Sequence, residues 1–245
     1  MNPVAQKLYD QLVVYLELDN ALQEQEKALH ELRVSARKLV SLLPKDDYHR
    51  AFFKRVIQAS NKIRDLDVLM LQVVPGFPKE IRAAGDQLKS ELLEVRNQLD
   101  DDFKNFLQLD ILPELRNLRA NFTREKDSLA VSAGVEDLEQ IEKQFRQIRK
   151  RLLLVDLEET QVHKIRLKVK RLRYQVAHHY RNKNKLLAEL KFLQEQLGKF
   201  HDFSQAGNLI RKYAADLKPE FLKQLRKHLQ SKQNAILKKV RKSLK

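Results

Sequence analysis

Two short stretches of this 245-residue chain carry the residue types that could do chemistry at a regular spacing. His30-Glu31-Leu32-Arg33-Val34-Ser35-Ala36-Arg37-Lys38-Leu39 is matched by His163-Lys164-Ile165-Arg166-Leu167-Lys168-Val169-Lys170-Arg171-Leu172. In both, a histidine is followed three residues later by arginine, then by two adjacent basic residues and a leucine. On a helix at about 100° per residue, Arg33 and Arg37 fall about 300° and about 340° from His30. His30, Arg33 and Arg37 therefore form one narrow stripe, and His163, Arg166 and Lys170 form its counterpart. Lys38 and Arg171 lie farther round, at about 80°, while Arg173 rejoins the stripe at about 280°. Such a row offers cationic donors at intervals of about 5 Å. Arginine can hold two phosphate oxygens through parallel bonds, and lysine adds a point charge. Two such rows facing each other across a duplicated fold are expected to form a basic trough in which a linear polyanion could lie, which is recognition rather than bond breaking.

Leu29, Leu32, Ala36 and Leu39 cover the neighbouring arc of about 180–260°. The cations thus border the face that must turn to a core, which restrains them more than free surface lysines. A basic helical stripe met once is ordinarily a solvated face. Its recurrence with the same His-x-x-Arg spacing argues for a shared role.

The elements that carry these stripes are helical. Five glycines and six prolines amount to less than half of the roughly 12% expected of an average chain, and a sheet protein would need more of both at its turns. Apolar residues make up 42% and recur at helical spacing almost throughout. Pro44 ends one stripe and Asp46 can cap the next helix, which runs to about Val74. Pro75-Gly76-Phe77-Pro78 is the clearest break. A long helical stretch follows, kinked near Pro113, and Ser132-Ala133-Gly134 is read as a loop. Helices are expected over roughly 135–155, 158–181, 184–213 and 218–244, the last opened by Pro219. One side of that last helix carries Leu222, Leu225, Leu229, Ile236, Val240 and Leu244.

A second pair of matching segments follows the first in the same order. Lys62-Ile63-Arg64-Asp65-Leu66-Asp67 corresponds to Lys199-Phe200-His201-Asp202-Phe203-Ser204. The fold expected is all-α, with two four-helix-bundle sub-domains, 1–130 and 131–245, related by an internal pseudo-two-fold duplication. Asp65 and Asp202 are expected to orient a neighbouring arginine or histidine.

The formal charge is +15, and it is unevenly placed. Residues 1–128 hold 20 Lys/Arg against 21 Asp/Glu, and residues 129–245 hold 28 against 12. Thr160–Ala188 and Phe221–Lys245 contain no acid at all. Such a field attracts anions. With no cysteine, disulfides and thiolate metal sites are excluded. No apolar run is long enough to span a bilayer, and Met1 to Asp10 does not read as a signal peptide. The expected location is the cytoplasm.

The paired helices, with Arg64-Asp65-Leu66-Asp67 and Leu197-Gly198-Lys199-Phe200-His201-Asp202, resemble the CHAD family (conserved histidine α-helical domain) over nearly the whole chain. The resemblance implies two four-helix bundles and binding of inorganic polyphosphate through a basic surface, with polyphosphate granules as a place of action. Carried over by position, it implicates His30, Arg33, Arg37, Lys38 and Arg64, and His163, Arg166, Lys170, Arg171, Arg173 and His201, with Lys62 and Lys199 as weaker candidates. Departures stand at His201, where arginine is usual, at Ser204, and at Val40, which faces Arg173 in the alignment of the copies. The Glu-x-Glu-x-Lys signature of the triphosphatase domain attached to many members is absent, so the chain is expected to be a stand-alone member. No cofactor or metal is implied.

Two other classes compete. An enzyme is suggested by His201-Asp202, the dipeptide of metal-dependent phosphohydrolases, with His178-His179 upstream, but the surroundings are cationic and disfavour a divalent metal. His30-Glu31 opens like a zincin helix, yet Arg33 stands where the second histidine is needed, and no phosphate loop is present. No enzymatic activity is expected. Non-specific nucleic-acid binding fits the charge, but the chain has no tryptophan and 7% aromatics, and the basic motifs lack stacking platforms. Weak nucleic-acid binding remains the alternative. If charge alone located the site, Arg166→Ala with Lys170→Ala would weaken polyanion binding more than Arg33→Ala with Arg37→Ala. Equal losses in a titration of folded variants would show that net charge is a poor guide.

Overall fold

The structure is a computed structural model and describes residues 3–18, 22–42, 48–116, 137–154, 156–180, 183–213 and 217–244. Leu43, Pro44, Asp46 and the 132–134 segment lie outside these, as does the expected boundary near 130. The described residues contain helices and no strand. In chain order the α-helices are α1 (Pro3–Glu17), α2 (Leu22–Leu42), α3 (Tyr48–Ala59), α4 (Asn61–Val68), α5 (Lys79–Phe106), α6 (Leu138–Leu152), α7 (Glu159–His179), α8 (Asn184–Tyr213) and α9 (Pro219–Leu244). The all-α class is as the composition requires.

Where the expected helices are interrupted, the cause is local. The helix anticipated from Asp46 to Val74 is broken at Ser60, which separates α3 from α4, and finishes as a π turn, Leu69–Val73, and a 3-10 turn, Val74–Gly76. Phe77 is then extended (φ −73°, ψ 139°), the conformation that Pro78 imposes on the residue before it. Near Pro113, where a kink is expected, a π turn over Leu107–Ile111 ends two residues before the proline, which can neither donate to Leu109 nor tolerate its carbonyl at α-helical distance.

The chain divides into two compact units, Met1–Gln72 with Lys89–Ala133, and Val73–Leu88 with Gly134–Lys245. The segment 73–88, counted by sequence with the first unit, thus groups with the second. Its anchor is Phe77, whose ring meets the His228 ring of α9 edge-on at 5.7 Å. Gly85 makes room for it, since a Cβ there would lie 2.8 Å from Phe77 Cδ2.

The first unit buries Leu8, Leu12 and Tyr15 of α1 against Leu29, Leu32, Ala36 and Leu39 of α2, with Phe52, Phe53, Val56, Ile63, Phe103 and Leu107. The second buries Ile141, Phe145 and Ile148 of α6, Val162, Ile165, Val169, Leu172 and Val176 of α7, Leu190, Leu193, Leu197 and Phe200 of α8, and Leu237, Val240 and Leu244 of α9. On α9, Leu225 and Leu229 are also buried, while Leu222 and Ile236 are half-buried. Each set follows the i, i+3, i+4, i+7 rows of an amphipathic helix.

The first unit also contains a charge network that no periodicity signals. Arg96 is fully buried on α5. It donates Nε to Asp67 Oδ1 of α4 at 3.0 Å and Nη1 to Gln25 of α2, and stands 3.5 Å from Asp100. Tyr15 of α1 donates its hydroxyl to Asp100. Lys104 Nζ approaches Asp100 Oδ2 at 3.4 Å and donates to the Leu18 carbonyl at 3.0 Å. Four helices are tied through one guanidinium. Burial pushes the Asp67 carboxyl up to about 6 against the pull of Arg96, and burial, with Asp100 next, holds the Tyr15 hydroxyl firmly protonated.

Removing one partner of a buried pair leaves the other charge uncompensated. Asp67→Ala is expected to lower the unfolding free energy by about 3 kcal/mol, read by urea denaturation. Asp67→Asn, which keeps an acceptor for Arg96, should cost less, and its effect carries a pH signature. The folded carboxyl is raised above its unfolded value, so its contribution to stability is present below the unfolded carboxylate range and lost as pH rises through about 6. The native chain should lose stability relative to Asp67→Asn across that window.

Candidate anion-binding site

In the first unit the α2 stripe is graded by depth. Arg33 is 5% exposed, Arg37 is half-buried, and His30 and Lys38 are exposed. Arg33 crosses to the α3–α4 break, where Nη1 donates to the Ile57 carbonyl at 2.8 Å and to Ser60 Oγ, and Nη2 donates to Asn61 Oδ1 at 2.9 Å. Its fork holds the interruption in place of the missing helical bonds. Arg33 is therefore an internal clamp, with both Nη atoms committed to protein oxygens. Burial lowers its pKa to about 10, with repulsion from Arg37 and then Arg64 adding to the effect, and Asp65 opposing it. That repulsion places Arg33, Arg37 and Arg64 in one cluster. Arg64 Nη1 pairs with Asp65 Oδ1 at 2.9 Å, the orienting role expected of Asp65. Lys62, two residues earlier on α4, is exposed.

In the second unit α7 opens with a capping box, Glu158 and Gln161 exchanging side-chain and backbone bonds. The helix runs unbroken from Glu159 to His179, through His163, Arg166, Lys170 and Arg173. Val162, Ile165, Val169, Leu172 and Val176 hold it to the core. This sets His163 at the surface and Arg166, Lys170 and Arg173 half-buried along the adjoining row. α8 is continuous where the first unit is broken, with Leu197-Gly198 in the places of Ser60-Asn61. It brings His201 against His163, ring centroids 5.2 Å apart and tilted by 47°.

The pair stands at a cavity of about 350 Å³ between α7 and α8, lined by Glu159, Thr160, Val162, His163, Lys164, Arg166, Leu197, Phe200, His201, Ser204 and Gln205. The wall is apolar at Val162, Leu197 and Phe200 and cationic at Lys164 and Arg166, with Glu159 its one carboxylate among the described residues. Ser204 is 4% exposed, and its Oγ has no hydrogen-bond partner among the described residues.

Of the residues singled out in the second half, His163, Arg166 and His201 meet in this cavity. Lys170, Arg171, Arg173 and Lys199 do not line it. Arg171 donates to Gln144 at 2.8 Å, Arg173 lies over the Tyr174 ring at 4.7 Å, and Lys199 pairs with Glu195 at 2.8 Å. That bond holds the Glu195 carboxyl below its usual range. Lys164, Ser204 and Gln205 were not among the candidates. Gln205 lies one helical turn beyond His201, and Ser204 one turn beyond Phe200, so the helical rows through those residues were the available signal. Among the described residues no three His, Asp or Glu side chains converge to hold a metal ion, and no helix is long and apolar enough to cross a membrane.

A family model for the CHAD domain matches residues 4–211. The chain belongs to the CHAD domain family. Its fold is similar to the crystal structure of the CHAD domain from the plant Ricinus communis, with a TM-score of 0.67 and 19% sequence identity over 98% of this chain and 87% of that one. No match was found among curated proteins.

The different commitments of the cations can be separated by stability. Arg33→Ala removes the fork's bonds to the Ile57 carbonyl, Ser60 Oγ and Asn61 Oδ1 at a largely buried position and is expected to cost about 1–3 kcal/mol. Arg33→Lys should not restore the loss, because a single ammonium cannot reproduce the fork. His30→Ala, at an exposed position, should stay within about 0.5 kcal/mol. Chemical denaturation of the three variants gives the comparison.

Proposed function

We propose that this protein binds inorganic polyphosphate through cations held at the edges of its helical cores, and that it performs no catalysis. The observation that carries the reading is the meeting of His163, Arg166 and His201 at one cavity, from two sequence motifs 38 positions apart (163 and 201). Membership of the CHAD family, which is linked to polyphosphate-related proteins, supports it.

The physical argument runs from charge to shape. A linear polyphosphate presents a dense row of anionic oxygens with no base to stack and no ring to grip. A matching surface needs closely spaced donors and no aromatic platform, which suits the row of Arg166, Lys170 and Arg173 beside His163. Arg37 and Arg64 supply a second group of cations in the first unit. Lys38, Lys62, Arg171 and Lys199 are exposed and contribute general attraction rather than fixed contacts. On this reading the protein acts in the cytoplasm, on polyphosphate granules, as a module that localises or organises the polymer.

Non-specific nucleic-acid binding is the competing reading, and it rests on charge alone. Calorimetric titration with long-chain polyphosphate at physiological salt, with DNA, RNA and heparin in parallel, separates the two. Polyphosphate binding is expected to outlast the others as salt rises, because fixed donors retain a contribution that counterion release does not supply. Equal, salt-labile binding to all four would mean a merely basic surface and sink the proposal.

A further inference from the structure

His201 occupies the position that Arg64 holds in the first copy of the motif, so a permanent charge there is replaced by one that can be gained or lost. The replacement falls beside His163, with ring centroids 5.2 Å apart. Among the described residues the charged groups that line the cavity with the pair are Glu159, Lys164 and Arg166, all on α7; Asp202 follows His201 in the chain on α8. No residue of α6 or α9 lines the cavity. Two imidazolium rings at this separation repel each other, and Arg166 and Lys164 add to the cost. Glu159 offsets part of it. A phosphate group seated there answers that repulsion, because its negative charge and acceptor oxygens favour the protonated form of each ring. The buried Ser204 Oγ, with no partner among the described residues, offers a donor to the same oxygens.

We propose that the His163–His201 pair, with Arg166 and Ser204, forms a single-phosphate subsite whose occupation takes up protons. Polyphosphate then binds more tightly to the second unit as pH falls through the histidine range. The inference rests on the polyphosphate reading and adds its regulation. By linkage the two effects are one: if phosphate draws protons onto the rings, protons draw phosphate into the cavity by the same factor. Two rings can take up at most two protons per occupied subsite. The first unit, with Arg64 at the equivalent position, contributes no such dependence there.

The test is calorimetry of the full chain with long linear polyphosphate at pH 7.5, repeated in buffers of different ionisation enthalpy, so that the buffer dependence of the heat counts protons. The expected result is an uptake of about one to two protons per chain, falling by about one in His201→Arg while binding at pH 7.5 is kept or strengthened. The native affinity should rise up to about tenfold per proton taken up for each unit of pH lowered, and the His201→Arg profile should be flatter. A measurement on the native chain guards against a misfolded variant. Imidazole ring signals of two histidines should move toward their protonated positions when polyphosphate is added at constant pH. Binding with no proton uptake, uptake unchanged in a folded His201→Arg variant, or ring signals that do not move would each overturn the proposal. Absence of any polyphosphate binding between pH 6 and 8 would instead remove the functional reading on which it stands.

Discussion

A guanidinium that has lost its water must be given oxygens in return, and this constraint shapes a helical protein with 48 lysines and arginines. Apolar stripes fix each helix against a core, and cations in the neighbouring rows are drawn inward with them. Arg33 meets the demand with the Ile57 carbonyl, Ser60 and Asn61. Arg96 meets it at Nε and Nη1 with Asp67, Gln25 and Asp100, while its buried Nη2 has no hydrogen-bond partner among the described residues. In the second unit Arg149 donates to the Leu244 carbonyl at 2.8 Å, and Arg241 to the Leu152 and Leu154 carbonyls at 3.2 and 2.6 Å. The ends of α6 and α9 thus cap each other, each helix using an arginine on the last carbonyls of its neighbour. A cation satisfied in this way supports the fold and has little left for a ligand.

The two copies of the motif diverge where this constraint is met differently. Asp67 exists to answer Arg96. At the matching position Ser204 is small, buried and uncharged, and a cavity opens beside it. Ser60-Asn61 interrupts a helix and supplies acceptors to Arg33. Leu197-Gly198 leaves α8 continuous, with Leu197 buried in the core and lining the cavity. Arg64 pairs with Asp65, while the His201 ring stands against the ring of His163. Each difference moves the first unit toward internal ion pairing and the second toward an open recess with titratable walls.

Much of this was legible in the sequence, for physical reasons that can be named. The buried rows of α2 and α7 follow from apolar spacing alone, and α8 and α9 are where the pattern put them because Pro219 and the uninterrupted periodicity leave little choice. The meeting of His163 with His201 was not legible, since the ordered repeat aligns the two segments with earlier ones and does not say that they touch each other. Periodicity is blind to depth, so it gave Arg33 and His30 the same standing when one is a clamp and the other a surface group. It is equally blind to pairing at a distance. Nothing in the sequence around Arg96 announces that Asp67, 29 residues away, and Gln25, 71 residues away, converge on it. The π turn before Pro113 and the break at Ser60 escape it too, since both are set by which carbonyls can find donors rather than by which side chains are apolar.

Charge asymmetry locates the field better than the site. The second half holds the whole cationic excess, yet several of its basic groups are engaged within the fold: Arg149 and Arg241 at helix ends, Lys183 with Glu142 at 3.3 Å, and Lys199 with Glu195 at 2.8 Å. Exposed pairs of this kind add little stability, but they do lower the local positive potential along the rows where they sit. What distinguishes the cavity between α7 and α8 is not a higher count of cations. It is that His163, Arg166 and His201 converge around a buried hydroxyl with a single carboxylate in the wall. On the proposed reading, an anion arriving there would gain from fixed donors that the solvated row along α9 does not offer. Steering toward the second unit and selection within it would then be separate steps, the first set by net charge and salt, the second by a few side chains positioned by the core beneath them.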